Sequence, residues 1–192
     1  RLCRTEAEAR AAFAELGGRV AVKACSADVP HKSEHGLVAL GLTDADAVAA
    51  AFRAQMAGLA ALGAEVDGVI VARMVKGRRE LVLGARLDPM VGPAVLVGDG
   101  GRYVEALGDV AVLVPPFNAE EVIEALMGLR IAPILRGTRG EPALDLTAYA
   151  EAAVRLGAMM LAAGGAIASV DLNPVMVGAA GEPTAIVDAL VE

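Results

Sequence analysis

Residues 19–41 read RVAVKACSADVPHKSEHGLVALG, and this stretch decides how the rest of the chain is interpreted. An apolar run leads into Lys23, which predicts a short buried strand that ends on a charge. Both histidines of the chain, His31 and His35, follow in a turn-rich segment that ends at Gly36. A basic, glycine-ended loop between two apolar strands predicts a phosphate-binding loop. The alternative is a polar hairpin loop at the edge of a sheet.

The length and composition limit the classes of protein to which the chain can belong. It has 192 residues, of which 56% are hydrophobic and 3% aromatic, and this predicts an aliphatic core with alanine-rich helices against a sheet. The length suits one domain, or two lobes that share a cleft. A net charge of −7 argues against nucleic acid as a general partner, whereas a nucleotide needs only a local basic pocket.

The sequence also predicts where the protein is found. Glycine, proline and charged residues interrupt every apolar run before the roughly 20 residues that a membrane-spanning helix needs, so we expect no membrane segment. No charged and then apolar leader is expected at the start, and Arg1 in place of Met predicts a piece of a longer polypeptide. Cys3 and Cys25 are too few for a disulfide framework or a zinc site, which favours a reducing, cytoplasmic location.

Hydrophobic periodicity and turn residues predict an α+β protein. The predicted helices cover residues 5–16, 45–62, 119–129 and 145–163. The predicted strands cover residues 20–24, 37–42, 66–71, 80–85, 94–97, 110–114, 167–172, 175–177 and 184–190. This order predicts two lobes, residues 1–66 and residues 67–192.

The last predicted strands form a hairpin that brings two oxygen-bearing side chains together. With a turn near Ala180, Asn173 and Asp188 lie roughly opposite each other. An amide oxygen beside a carboxylate suits Mg²⁺, which takes oxygen ligands and keeps positions for water and phosphate. The alternative is that Asn173 only starts a turn and that Asp188 is a solvated strand residue.

Other polar residues are candidates for contacts with a nucleotide. Lys23 at the end of an apolar strand needs an anionic partner. Glu80 begins a strand after a flexible turn and could accept hydrogen bonds from a ribose, although a solvated glutamate is the alternative. His31 and His35 are candidates for general bases, phosphate acceptors or surface residues, because the adjacent proline and glycine argue against a metal-binding helix.

Taken in order, these motifs resemble the ATP-grasp domain of NDP-forming acyl-CoA synthetases, the relatives of succinyl-CoA synthetase that include ADP-forming acetate–CoA ligase. The motifs are VAVK at 20–23, DVPHKSEHG at 28–36, VIVARM at 69–74, ELVLG at 80–84, DPMVGP at 88–93, GGRYVE at 100–105 and DLNP at 171–174, followed by Asp188. They cover nearly the whole chain. The resemblance implies an ATP-grasp fold with a truncated start, in which two α+β lobes clamp a nucleotide.

The resemblance also implies a role for each motif residue. Lys23 would contact the phosphates of ATP or ADP, and Gly36 would let the backbone approach them. The other implied contacts are the main chain of Ala72, Arg73 and Met74 to adenine, Glu80 to ribose, and Asn173 and Asp188 to Mg²⁺. His31 would relay the phosphoryl group, while His35 falls where the family varies and is expected to be a surface residue.

The implied reaction joins an acid to CoA, with ATP converted to ADP and phosphate through a phosphohistidine. It needs a CoA-binding ligase half with its own phosphorylatable histidine, in the same polypeptide or in a separate subunit, and that half would bind CoA and the small carboxylic acid. One alternative is a regulatory or degenerate ATP-grasp domain, as in protein lysine acetyltransferases. A purely structural α/β domain is the other.

Overall fold

The computed structural model describes residues 1–29, 32, 35–101 and 104–192, apart from the side chain of Glu105. The chain divides into two compact units, Arg1–Met74 and Val75–Glu192. Helices and antiparallel sheets build both units, so the α+β prediction is confirmed.

The first unit is a four-stranded antiparallel sheet with two helices. In chain order its elements are β1 (Leu2–Cys3), α1 (Glu6–Leu16), β2 (Val20–Cys25), β3 (Val38–Leu42), α2 (Ala45–Ala61) and β4 (Gly68–Arg73). The strand order is β1-β4-β2-β3, so β2 and β4 form the centre of the sheet. Both helices pack on the face that carries Val20, Val22, Val69 and Val71, where apolar residues of α1 and α2 complete the core.

Capping residues fix where the two helices of this unit begin. The Thr5 hydroxyl accepts a hydrogen bond from the Glu8 N–H at 3.2 Å, and the Asp44 carboxylate accepts one from the Ala47 N–H at 2.7 Å. These side chains satisfy N–H groups that have no partner within the first turn of a helix. Gly17, with φ +65°, ends α1. The predicted start of each helix is therefore confirmed.

The second unit is a larger antiparallel sheet, and three of its helices pack on one face. In chain order its elements are β5 (Arg79–Asp88), β6 (Gly92–Asp99), α3 (Val104–Leu107), β7 (Val110–Leu113), α4 (Ala119–Met127), α5 (Ala132–Leu135), α6 (Thr147–Ala163), β8 (Ser169–Val177), β9 (Ala185–Ile186) and β10 (Leu190–Val191). The strand order is β10-β8-β5-β6-β7, and β9 also pairs with β8.

The core of the second unit lies between this sheet and the helices α4 and α6. Leu81, Leu83, Val95 and Val97 point into it from β5 and β6. Tyr149 on α6 is fully buried among them, and its hydroxyl donates to the Val82 carbonyl at 2.5 Å. This bond fastens the longest helix of the unit to the central strand.

The structure differs from the sequence predictions at several elements. The expected lobe boundary at residue 66 precedes β4, but β4 pairs with β1 and β2 and belongs to the first unit. The predicted break at Asn173-Pro174 is wrong, because β8 continues through these residues. The short elements β1, α3 and α5 were not predicted, since each is too short to show a hydrophobic period.

Among the described residues, no helix is both long and apolar enough to span a bilayer.

Candidate functional site

Lys23 lies on β2, on the face of the first sheet opposite to the helices. It is paired with Val38 on β3 and with Ile70 on β4. Its neighbours Val22 and Ala24 are fully buried, and side chains alternate along a strand, so the Lys23 side chain points away from that core. The side chain is half-buried on a strand that is otherwise apolar. A charge in this position suits an anionic ligand.

The residues predicted to contact adenine through their main chain, Ala72, Arg73 and Met74, do not all share one face of the first sheet. Ala72 is paired with Ala21, so it shares a face with Lys23. Arg73 is paired instead with Val20, on the face that the helices cover. The structure therefore brings the Ala72 side chain to the face that carries Lys23 and the Arg73 side chain to the opposite face.

Polar groups of Arg73 and Met74 hold the end of β4 in place. The Arg73 guanidinium donates to the Leu16 carbonyl at the end of α1 at 2.6 Å, where a helix leaves carbonyl groups unpaired. The Met74 N–H donates to the Arg19 carbonyl at 2.9 Å. Both contacts lie within the first unit and fix the end of β4 against α1 and the start of β2.

The loop between β2 and β3 is described only in part. Its base is closed where the Leu37 N–H donates to the Lys32 carbonyl at 2.9 Å and the Ala24 N–H donates to the Leu37 carbonyl at 3.0 Å. Gly36 adopts φ +68°, a conformation that favours glycine. His35 is exposed. His31, the predicted relay, lies outside the described residues.

Glu80 lies near the start of β5, on the face of the second sheet opposite to the core. Its carbonyl accepts a hydrogen bond from the Gly100 N–H at 3.1 Å. A Cβ atom on Gly100 would lie 2.7 Å from the carbonyl carbon of Leu81, so only glycine fits there. A Cβ atom on Gly101 would lie 3.1 Å from Oε2 of Glu80. The two glycines therefore bring the end of β6 directly against Glu80 and leave its carboxylate accessible.

Asn173 lies in a β-bulge of β8. Leu81 is paired with Val175 and Leu83 with Leu172, so Asn173 and Pro174 together lie opposite the single residue between those two on β5. Leu172 packs against the core, so alternation directs Asn173 to the opposite face, which carries Glu80. Bulges commonly redirect side chains beside functional sites.

Asp188 lies opposite Asn173 in the returning chain. Val175 is paired with Ile186, and Asp171 is paired with Leu190. The β8–β9 and β8–β10 pairs share one register, which places residue 188 across from residue 173, as the hairpin prediction required. Asp188 itself lies between β9 and β10, so the predicted continuous strand over residues 184–190 is interrupted at this position.

The described residues hold no group of three or more His, Cys, Asp or Glu side chains that could bind a metal ion. A metal held by Asn173 and Asp188 would therefore take most of its ligands from elsewhere. This fits Mg²⁺, which usually binds one or two protein carboxylates and completes its shell with water and phosphate.

Two ion pairs near the start of β5 were missed by the sequence reasoning. Arg79 donates to both carboxylate oxygens of Asp99, each at 2.7 Å from Nη2. Arg78 donates to both oxygens of Glu182, at 2.7 Å from Nε and 2.6 Å from Nη2. The one signal in the sequence for the first pair is that Arg79 directly precedes Glu80, a predicted ligand-binding residue.

The second pair has an electrostatic consequence. Arg78 is the main cause that lowers the pKa of Glu182 to about 2, and the Ala179 N–H contributes by donating to the same carboxylate at 2.9 Å. Glu182 lies in the turn between β8 and β9. The pair therefore ties the hairpin that carries Asp188 to the start of β5.

A groove of about 700 Å³ lies along the open face of the second sheet, which is the face opposite to the core. Val82, Gly84 and Arg86 line it from β5, at alternate positions that continue the face of Glu80. Leu96 and Asp171 line it from β6 and β8. The face that carries Glu80 and Asn173 is thus an open, mostly apolar surface with acidic groups.

Known proteins show the same organisation. The whole chain, residues 1–192, matches a family model described as an ATP-grasp domain. A trans-feruloyl-CoA synthase from an unknown prokaryotic organism is 43% identical over 187 residues, which cover 96% of this chain and 26% of that protein. The β subunit of ADP-forming acetate–CoA ligase I from Pyrococcus furiosus is 35% identical over 177 residues, which cover 91% of this chain and 76% of the subunit.

A solved structure extends this likeness to the whole fold. The dinucleotide forming acetyl-coenzyme A synthetase 1 of Ca. Korarchaeum cryptofilum, in complex with coenzyme A, Ca-AMPCP and HgCl⁺, is 31% identical, with a TM-score of 0.92. The match covers 100% of this chain and 83% of that chain. The chain spans only about a quarter of the length of the feruloyl-CoA synthase. From the family match and these relatives, the chain belongs to the ATP-grasp domain family.

Proposed function

We propose that this chain is the nucleotide-binding module of an ADP-forming acyl-CoA synthetase. The overall reaction is acid + CoA + ATP giving acyl-CoA + ADP + phosphate. The observation that carries the proposal is the strand register, which places Asn173 on the sheet face of Glu80 and residue 188 across from residue 173. The relatives named as a CoA synthase and a CoA ligase support this activity and do not favour a regulatory acetyltransferase domain.

In this proposal, each motif residue has a separate role in binding the nucleotide. Lys23 contacts the phosphates, and Gly36 lets the loop backbone approach them. Glu80 accepts hydrogen bonds from the ribose, and the main chain near Ala72 contacts adenine. Phosphoryl transfer depends mainly on positioning and on neutralising phosphate charge, which these residue types supply.

Asn173 and Asp188 would hold Mg²⁺. Their oxygen atoms match the ligands that this ion prefers, and their common register supports a shared site. The bound ion would neutralise phosphate charge. The nucleotide analogue in the acetyl-CoA synthetase structure is bound as a calcium complex, which supports a divalent cation at this site.

We assign the relay of the phosphoryl group to His31. In this assignment a phosphorylatable histidine on a CoA-binding ligase half exchanges the phosphoryl group with His31, and His31 exchanges it with the nucleotide. CoA and a small carboxylic acid bind through that other half. The reducing conditions inferred from the two cysteines agree with a cytoplasmic enzyme.

Calorimetry of Mg-ADP binding tests the nucleotide site. We expect Lys23→Ala to abolish measurable binding and Asp188→Asn to weaken it by about tenfold or more, as for the loss of a charged contact. Arg155→Ala and Asp46→Asn are matched controls, because both residues lie on exposed helix surfaces. Failure of the folded wild-type protein to bind Mg-ADP or Mg-ATP would falsify the proposed function.

Replacement of the histidines tests the relay. His31→Ala is expected to abolish phosphate transfer to ADP in the full-length protein, while His35→Ala, on the same loop, retains it. The measurement is ATP formation from acyl-CoA, ADP and phosphate. Normal turnover in the His31→Ala variant would remove this residue from the mechanism.

A further inference from the structure

We propose that Arg79 and Asp99 form a positioning pair that holds the Glu80 carboxylate in place for the ribose of the nucleotide. The inference rests on the proposed function, because it concerns how Glu80 is kept ready to bind. It adds two residues that do not touch the nucleotide themselves. Their role follows from three sets of contacts at the start of β5.

The first set joins the two side chains. Arg79 Nη2 lies 2.7 Å from each carboxylate oxygen of Asp99, and Nε lies 3.1 Å from Oδ1. The side chains are 33% and 8% exposed, so water screens the pair only in part. Bidentate, charge-assisted hydrogen bonds of this kind fix geometry more strongly than single bonds.

The second set concerns the two faces of the sheet. Asp99 is paired with Leu81, whose side chain lies in the core, so Asp99 and Arg79 share the helix-covered face. Glu80 follows Arg79 directly and points to the opposite face. The ion pair therefore fixes the start of β5 on the helix-covered face and leaves the Glu80 side chain on the opposite face, where the proposed nucleotide would bind.

The third set ties the residues after Asp99 to Glu80. The Asp99 N–H donates to the Asp109 carbonyl at 3.0 Å, and the Gly100 N–H donates to the Glu80 carbonyl at 3.1 Å. The close approach of Gly101 to Oε2 of Glu80 sets the space around the carboxylate. Because Asp99 begins this turn, the ion pair holds the turn and Glu80 in one arrangement.

Loss of the pair is expected to leave Glu80 present but poorly oriented. The start of β5 and the glycine turn could then move apart, and hydrogen bonds from Glu80 to a ribose would be made less often. This effect differs from a general loss of stability. Substitutions that preserve stability can therefore distinguish poor orientation of Glu80 from a general loss of stability.

The first measurement is the preference for ribose. Calorimetry would measure the Kd for Mg-2′,3′-dideoxy-ADP divided by the Kd for Mg-ADP, and this ratio reports hydrogen bonds to the sugar. Glu80→Ala is expected to reduce this ratio by about tenfold, to near one, because a charged hydrogen-bond acceptor is lost. Asp99→Asn is expected to reduce the same ratio by roughly threefold or more, which is part of the effect of Glu80→Ala, because Glu80 is still present.

A double variant removes the pair without leaving a buried charge. Arg79→Met combined with Asp99→Leu replaces both members by apolar side chains of similar size, which is often neutral for stability. It is expected to unfold at a temperature close to that of the wild type and still to show the reduced ratio. Glu151→Gln, which breaks an exposed ion pair on α6, is the matched control and keeps the full ratio.

The second measurement does not depend on nucleotide. Amide hydrogen exchange in the free protein is expected to be faster at Gly100 in the Asp99→Asn and double variants, because the bond from Gly100 to Glu80 opens more often. Exchange in the centre of α6 is expected to be unchanged in the double variant.

The outcomes distinguish this inference from the proposed function. If Glu80→Ala removes the ribose preference but the double variant keeps it, Glu80 binds ribose and the positioning role is wrong. If Glu80→Ala leaves the ratio unchanged, the ribose contact is wrong and the inference falls with it. Unchanged exchange at Gly100 in the double variant would overturn the positioning role whatever the nucleotide result.

Discussion

Two arginines at the start of β5 connect this strand to two other segments that carry predicted site residues or lie next to them. Arg78 and Arg79 are consecutive, and their guanidinium groups bind carboxylates from two different parts of the chain, Glu182 and Asp99. One carboxylate lies in the hairpin turn before Asp188, and the other directly precedes the glycine turn. The ion pairs thus link motifs that are far apart in the sequence.

The Glu182 ion pair predicts a pH-dependent stability. Its pKa is lowered from 4.5 to about 2, so its stabilising contribution is complete above about pH 4.5 and is lost as the pH falls towards 2. We expect Glu182→Gln to lower Tm at pH 7, and the difference from wild type to shrink between pH 4.5 and 2. Thermal melts across this range make the measurement, with Glu124→Gln on the exposed face of α4 as the control. A difference in Tm that stays constant with pH would contradict the assignment.

The buried Tyr149 hydroxyl predicts a cost for its removal. Burial raises the pKa of Tyr149, and the hydroxyl donates to the Val82 carbonyl. Tyr149→Phe keeps the ring in the core but leaves this carbonyl without that donor, so the free energy of unfolding should fall by about 1–3 kcal/mol. Urea denaturation measures the change. An unchanged midpoint would show that this bond contributes no net stability.

At the scale of elements, α4 shows how local sequence fixes a boundary. The Asn118 side chain accepts from the Glu121 N–H at 3.0 Å, and Glu121 accepts from the Asn118 N–H at 2.7 Å. Asn118→Ala should therefore lower the free energy of unfolding by about 1 kcal/mol. Asn118→Asp keeps the acceptor and is the matched control. Equal unfolding midpoints for Asn118→Ala and wild type would show that the cap does not stabilise the fold.

The strand β8 shows where local reasoning failed. Asn173-Pro174 is typical of a turn, and proline cannot donate a hydrogen bond to a neighbouring strand. In the structure the bulge accommodates both residues, and the Pro174 carbonyl still accepts from the Val187 N–H at 3.0 Å. Pairing with strands on both sides therefore overrides the local preference for a turn.

At the scale of the whole molecule, each unit has its own core. Of the residues proposed to contact the nucleotide, Lys23 lies in the first unit, and Glu80, Asn173 and Asp188 lie in the second. A ligand stabilises every part that it binds in the native state. Bound Mg-ADP is therefore expected to slow amide exchange near each of these residues and to raise Tm.

Hydrogen exchange with and without Mg-ADP checks this coupling. Lys23→Ala is the control, since it should remove the added protection near all of these residues. If bound Mg-ADP leaves exchange unchanged near one of them, the contact proposed for that residue is wrong.

The sequence by itself determined the local features of the protein. Hydrophobic periodicity, caps and glycines predicted the major helices and most strands, because these signals act over a few neighbouring residues. The ordered motifs also predicted the ATP-grasp family, which the family match confirms. The roles of Lys23, Glu80, Asn173 and Asp188 remain predictions; the first three residues lie on strands, and Asp188 lies in the segment between β9 and β10.

Only the tertiary structure decided which distant residues meet. It assigned β4 to the first unit, directed Arg73 towards α1, and carried β8 through Asn173-Pro174. It also paired Arg79 with Asp99. These features depend on strand pairing and ion pairs between distant residues, and no local pattern encodes such contacts. The sequence therefore determined the candidate ligand-binding residues, while packing decided how they are held.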